Sequence, residues 1–274
     1  MKKTILLLCL LIGLGFSYNI DYTNWTVNFQ IEKAGLTELK VETDIDRTLK
    51  SLIKNLQFDN NRTVQDYLNE HSQIARQFDR LRIGARETDI RYLSDGATIY
   101  EYEAPLTGQV MKLLMPYSGG GIPITTLCCP ICKRPWPEDL AVPEGVKLVP
   151  QETEFTPKYT GILIDARDID LQPCLFPKVL TEDGEEIYSL GFATNEYVTK
   201  LGLVSYVQSF DQAFQNERLG INPLRVTALK SSGPNKTDII ISQADAKTMH
   251  NSQHNLGLLE RCQVVILIGN GKSK

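Results

Sequence analysis

An excess of positive charge is the first thing this sequence lacks. The 274-residue chain sets 29 Lys and Arg against 33 Asp and Glu, a formal net charge of −4, so it has no cationic field to gather nucleic acid or anionic lipid. Histidine is scarce as well. There are three, His71, His250 and His254, which leaves a hydrolytic triad with few candidate members. The Gly-x-Ser-x-Gly elbow and the His-Glu-x-x-His helix are both missing, and with them the signatures of α/β-hydrolases and zincins. Gly119-Gly120-Gly121 precedes neither a helix nor a Lys-Ser/Thr pair, so it is no phosphate loop. No apolar run reaches the ~20 residues of a membrane-spanning helix, and no fixed-period repeat marks a solenoid. At 42% hydrophobic and 23% charged residues the chain is nonetheless no disordered polymer. It reads as a globular, non-enzymatic protein.

What is present begins at the N-terminus. Lys2 and Lys3 precede an apolar run from Ile5 to Phe16, and Gly15 and Ser17 supply small residues at its end. This is the pattern of a secretory signal peptide over residues 1–17. Cys9 lies in the middle of the run and follows Leu8, where a lipobox wants Gly, Ala or Ser, so plain export fits better than lipidation. The expected location is the periplasm or the outer membrane's periphery, with no transmembrane span in the mature chain. Loss of the leader takes Lys2 and Lys3 with it, deepening the charge from −4 to −6, and leaves five of the six cysteines.

The pattern of the mature chain predicts an α+β fold, as two small α+β domains joined by a Pro/Gly/Cys-rich linker. In residues 18–115, Trp25, Val27, Phe29 and Ile31 alternate as a half-buried strand does. Ile45, Leu49, Leu52 and Leu56 share one face of a helix over Leu36–Leu56. Thr63 and Asp66 resemble a capping box, and open a helical stretch through Ile74, Phe78 and Leu81. A hairpin of Thr88–Ser94 and Ala97–Ala104 turns at Asp95-Gly96. Residues 116–158 form the linker, since eight of the thirteen prolines lie between Pro116 and Pro157. Residues 159–274 predict a strand at Tyr159–Ile164, a hairpin at Lys178–Tyr188 and a helix over Glu196–Gln215. Strands follow at Leu224–Lys230 and Thr237–Ser242, then a helix capped by Ser242 and Asp245 and running toward Arg261. Val264–Ile268, apolar throughout, suits a strand buried on both faces.

The sharpest local signal is Cys128-Cys129-Pro130-Ile131-Cys132-Lys133-Arg134 in the linker. A Cys-x-x-Cys turn lets two thiolates, here Cys129 and Cys132, meet one zinc ion while intervening amides hydrogen-bond the sulfurs. It is half of such a site, for no second Cys-x-x-Cys exists. Completion could come from His250 and His254, from Cys174 and Cys262, or from the same knuckle on another subunit. Structural disulfides and a redox-active Cys129/Cys132 loop fit the same residues in an oxidising compartment. Haem attachment does not, because Lys133 and not His follows Cys132. Asp165, Asp168 and Asp170 are better explained by a local pair with Arg167 than by a calcium loop, which would need a central glycine.

Three stretches in the first half carry a family resemblance: Thr63-Val64-Gln65-Asp66-Tyr67-Leu68, Ile83-Gly84-Ala85-Arg86 and Tyr92-Leu93-Ser94-Asp95-Gly96. Together they resemble the LPP-twenty lipoprotein family of the bacterial envelope, the FlgP-like group with a flagellar outer-membrane-associated member, over about residues 25–115. The resemblance implies a small α+β domain, secretion, and an assembly or envelope role in place of chemistry. The lipid-carrying cysteine of those lipoproteins has no counterpart here, and their one-domain members lack the cysteine-rich linker. In the second half, Tyr159-Thr160-Gly161-Ile162-Leu163-Ile164-Asp165-Ala166-Arg167, Asn222-Pro223-Leu224 and Asn235-Lys236-Thr237-Asp238 look like a domain found beside such modules in exported proteins. The expectation is a non-enzymatic, exported envelope assembly or interaction protein, at flagellar or surface structures, whose partners are other copies of itself or envelope proteins. Its alternatives are a zinc-knuckle-stabilised binding module and a periplasmic thiol-disulfide protein using Cys129 and Cys132.

Overall fold

The computed structural model describes residues 18–33, 38–94, 96–116, 120–137, 139–151 and 157–269. The leader, Asp95 of the first hairpin turn and Gly119 lie outside them. The fold is α+β. Strands β1 (Tyr18–Asp21) and β2 (Thr26–Lys33) are followed by helices α1 (Glu38–Lys54), α2 (Val64–Glu70) and α3 (Ser72–Arg80). Strands β3 (Arg86–Tyr92) and β4 (Thr98–Pro105) and helix α4 (Gln109–Leu114) complete the first half. Its antiparallel sheet has the order β1-β2-β4-β3. Val27, Phe29 and Ile31 of β2 and Tyr102 and Ala104 of β4 face the core, against Leu49, Leu52 and Ile53 of α1. The alternation read from the sequence thus selects the buried face of β2.

The single helical stretch expected after Thr63 is two helices. Thr63 and Asp66 do form the reciprocal capping box. The chain then leaves helical geometry at His71 (φ −122°, ψ 72°), whose Nδ1 lies 2.9 Å from Tyr67 O. The same backbone turn that ends α2 therefore starts α3.

Two short strands follow, β5 (Leu127–Cys128) and β6 (Val149–Pro150), paired antiparallel across the Pro-rich stretch. The second half contains β7 (Ile162–Ala166), β8 (Val179–Thr181), β9 (Glu186–Tyr188), α5 (Asn195–Leu201), β10 (Ser205–Val207) and α6 (Phe210–Gln215). It ends with β11 (Leu224–Ser232), β12 (Asp238–Ile241), α7 (Gln243–His250), α8 (Gln253–Glu260) and β13 (Val264–Ile268). The sheet order is β10-β13-β7-β11-β12-β8-β9. Neighbours from β10 to β11 run parallel, as do β12 and β8, while β11–β12 and β8–β9 are antiparallel. β13 lies inside the sheet with Val264, Val265, Ile266 and Leu267 buried, as its unbroken apolar run requires.

Two expected helices differ. The stretch Glu196–Gln215 is a helix, a strand and a helix, because Gly202 takes φ 79° and stops α5, and Leu203 to Val207 are buried on all sides beside β13. The helix expected to run from Ser242 toward Arg261 breaks at Asn251. There Ser252 accepts from the Asn255 amide and caps α8.

One apolar cluster runs through both halves. Trp25, 1% exposed, donates from its indole to Val204 O at 2.7 Å. Phe58 stacks on Tyr67 and meets Phe176 edge-on at 5.0 Å, and the backbone amide of Phe176 donates to Phe58 O. Among the described residues no helix is long and apolar enough to cross a membrane.

Candidate metal knuckle

Two backbone donors of the Pro-rich stretch close one tight turn. Cys129 N donates to Arg134 O at 2.9 Å, and Lys133 N donates back to Cys129 O at 3.0 Å. Closing the loop this tightly puts Lys133 at φ 58°, a left-handed conformation that favours glycine. The base is fixed by the β5–β6 ladder, by a bridge between Cys128 and Pro135, and by Trp136 N donating to Leu127 O at 2.7 Å. Trp136 also donates from its indole to Leu140 O at 2.8 Å. Cys128, buried in that base, is a packing residue, while Cys132 is exposed and Cys129 half-buried.

The electrostatics of the turn favour a thiolate at Cys129. The backbone amides of Cys132 and Ile131 hydrogen-bond the Cys129 sulfur, with further help from the Cys132 thiol and the Lys133 charge, and hold this thiol below its ordinary pKa. Stabilising a thiolate is what a metal ligand and a nucleophile both require. The five described cysteines are all unbridged.

The partners considered within the chain are spent elsewhere. His250 is buried, with Nδ1 3.0 Å from Ile124 N and Nε2 2.7 Å from Ile187 O. An amide only donates and a carbonyl only accepts, so the proton sits on Nε2 and the ring is neutral. Burial lowers its pKa, in the same direction. The side chain is a clip that fastens the Pro-rich stretch to the second half. Gly121 N, donating to Gly191 O, is a second fastening, and an ion pair of Lys147 with Glu260 is a third. His254 donates from Nε2 to Tyr159 O. Cys174 and Cys262 are fully buried, and desolvation pushes their thiols up to about 12 and about 11. Among the described residues no group of three or more His, Cys, Asp or Glu is placed to hold a metal ion. Cys129 and Cys132 thus stand as a pair, with no third such group beside them among the described residues. Asp165 receives a two-pronged pair from Arg167 at 2.8 and 2.7 Å, and Asp170 pairs with Lys236.

Sequence patterns pass over one further feature. A cleft of about 760 Å³ opens where the β1–β2 turn meets the second half, lined by Tyr22, Lys200, Tyr206, Gln212, Glu217 and Arg218. Arg218 is buried, and no carboxylate among the described residues pairs with it. It donates to the carbonyls of Leu201 and Gly202, at the end of α5, and of Cys262, and desolvation lowers its pKa. The negative end of α5 explains this placement, which long-range packing alone creates.

The fold and site together define an α+β protein that displays a two-thiol knuckle on a pinned loop. Residues 161–270, the span from β7 through β13, are similar to a family described as the second domain of Treponema pallidum Tp0624. The knuckle and the first half lie outside that similarity. No curated protein matches the chain.

Proposed function

We propose that this chain is a non-enzymatic, exported interaction protein of the bacterial envelope, and that Cys129 and Cys132 are its metal-binding element, with zinc as the ion. The knuckle carries this reading: two neighbouring thiols at the surface, one with amides aimed at its sulfur, on a turn tied to the rest of the fold. Zinc suits it, because tetrahedral structural zinc sites are assembled from such turns. Export is supported by the basic, apolar and small-residue order of residues 1–17, and the envelope setting by the LPP-twenty-like stretches, Thr63 to Leu68 among them. β3, an outer strand exposed along its length, adds a surface suited to self-association or an envelope partner.

Metal analysis of protein purified under reducing conditions tests the reading. Zinc is expected to co-purify, and to be lost in Cys129→Ser and Cys132→Ser. Less than about a tenth of an equivalent in the parent protein would overturn the metal role, since structural zinc sites hold their ion tightly. The lowered Cys129 thiol next to an exposed Cys132 favours a second reading, thiol-disulfide exchange. That reading requires insulin reduction above background by the metal-free protein.

A further inference from the structure

Zinc completes a tetrahedron of four ligands, and the knuckle brings two. Among the described residues no third His, Cys, Asp or Glu joins the pair, and the histidines and cysteines considered within the chain are spent or buried elsewhere, so the other two are sought on a neighbour able to reach an exposed turn. The turn is built for such an approach. Ile131, at its tip, is 90% exposed, and Cys132 beside it is exposed too. Its base, fixed by β5, β6 and the Trp136 hydrogen bonds, needs no rearrangement to present both sulfurs.

Resting on the zinc reading above, we propose that the missing ligands are Cys129 and Cys132 of a second copy of this chain, so that one zinc ion joins two knuckles across a two-fold axis. A two-fold axis through the metal converts two sulfurs into four with every ligand environment repeated, as an isologous contact demands. Charge selects the same occupant. Binding Zn²⁺ to four thiols releases four protons and leaves a centre of charge −2. Lys133 of each copy, whose charge already favours the Cys129 thiolate, then sets a positive charge beside that centre from either side. Without the metal the same two lysines face one another and repel, so the contact is conditional on zinc. The two Ile131 side chains, exposed in the single chain, flank the joined turns and lose water there.

The test is the mass of the purified, reduced chain in solution, by sedimentation or light scattering, together with its zinc content. A dimer holding one zinc per two chains is expected in zinc, and a monomer after chelation. Cys132→Ser is expected to stay monomeric in zinc with an unchanged far-UV spectrum. Cobalt in place of zinc should give the intense sulfur-to-metal absorption and tetrahedral d–d bands of a four-thiolate site. A monomer binding one zinc per chain would overturn the pairing and leave the metal reading standing. So would a dimer that survives chelation. Failure to bind zinc at all would overturn both, so the two proposals fail in different ways.

Discussion

Cys129 and Cys174 are the same side chain in opposite surroundings, and the contrast sets their chemistry. Amides of Cys132 and Ile131 stabilise the Cys129 thiolate, whereas burial beside Tyr206 pushes the Cys174 thiol up to about 12. Alkylation runs through the thiolate, so its rate rises with pH through the thiol's pKa. For the metal-free protein, iodoacetamide labelling followed by peptide mapping should show Cys129 reacting with a midpoint below that of an ordinary cysteine. Cys174 and Cys262 should stay unlabelled until the chain unfolds, and added zinc should protect Cys129. A Cys129 midpoint above that of free cysteine would contradict the amide geometry. The Cys-x-x-Cys spacing made this turn legible, since two residues between cysteines suffice to define it. The roles of Lys133 and His250 were not legible. One depends on a left-handed φ that sequence favours glycine to adopt, and the other on an amide 126 residues away, from Ile124.

At the scale of elements, local rules succeeded where a signal is carried by neighbours in the chain. The Thr63 capping box, the Gly184 turn between β8 and β9 and the apolar run of β13 are all of this kind. Helical spacing failed over Glu196–Gln215 because Leu203, Val207, Phe210 and Phe214 satisfy a helix's period, while Ser205, Tyr206 and Val207 lie in a strand buried on both faces, where periodicity carries no information. Gly202 decides between the two. Its φ of 79° ends α5, and a Cβ there would sit 2.6 Å from the indole nitrogen of Trp25. Gly202→Ala should cost about 2–5 kcal/mol, from the left-handed penalty and the overpacking together. Gly84, with ordinary φ and open space around it, provides the control. Gly84→Ala should change stability by less than about 1 kcal/mol, in the stabilising direction. Urea midpoints of the two variants decide the matter, and equal midpoints would show that the Trp25–Gly202 contact does not hold in solution.

At the scale of the molecule, composition and pattern predict two α+β domains joined by a linker and say nothing of the core that runs through both halves, because contacts between residues far apart in sequence leave no periodic trace. That shared core holds large side chains. Trp25, Phe58 and Phe176 are buried where the halves meet, each worth about 1.5–3 kcal/mol on removal from water. Backbone and side-chain bonds cross with them: Thr23 Oγ1 donates to Tyr206 O, Leu175 N to Gln57 O, Gly108 N to Thr199 O, and Asn60 Nδ2 to the Asp238 carboxylate. The sum is comparable with the whole stability of an ordinary domain, about 5–15 kcal/mol, so neither half should survive the unfolding of the other. Calorimetry of the reduced protein should therefore show one transition, with van't Hoff and calorimetric enthalpies in agreement. Residues 159–274 expressed alone should melt well below the full chain, because Tyr206 and Phe176 lose their cover and the carbonyls of Val204 and Tyr206 lose the donors that Trp25 and Thr23 supply. Two resolved transitions, or a fragment as stable as the parent, would mean that the halves are thermodynamically independent despite their shared core.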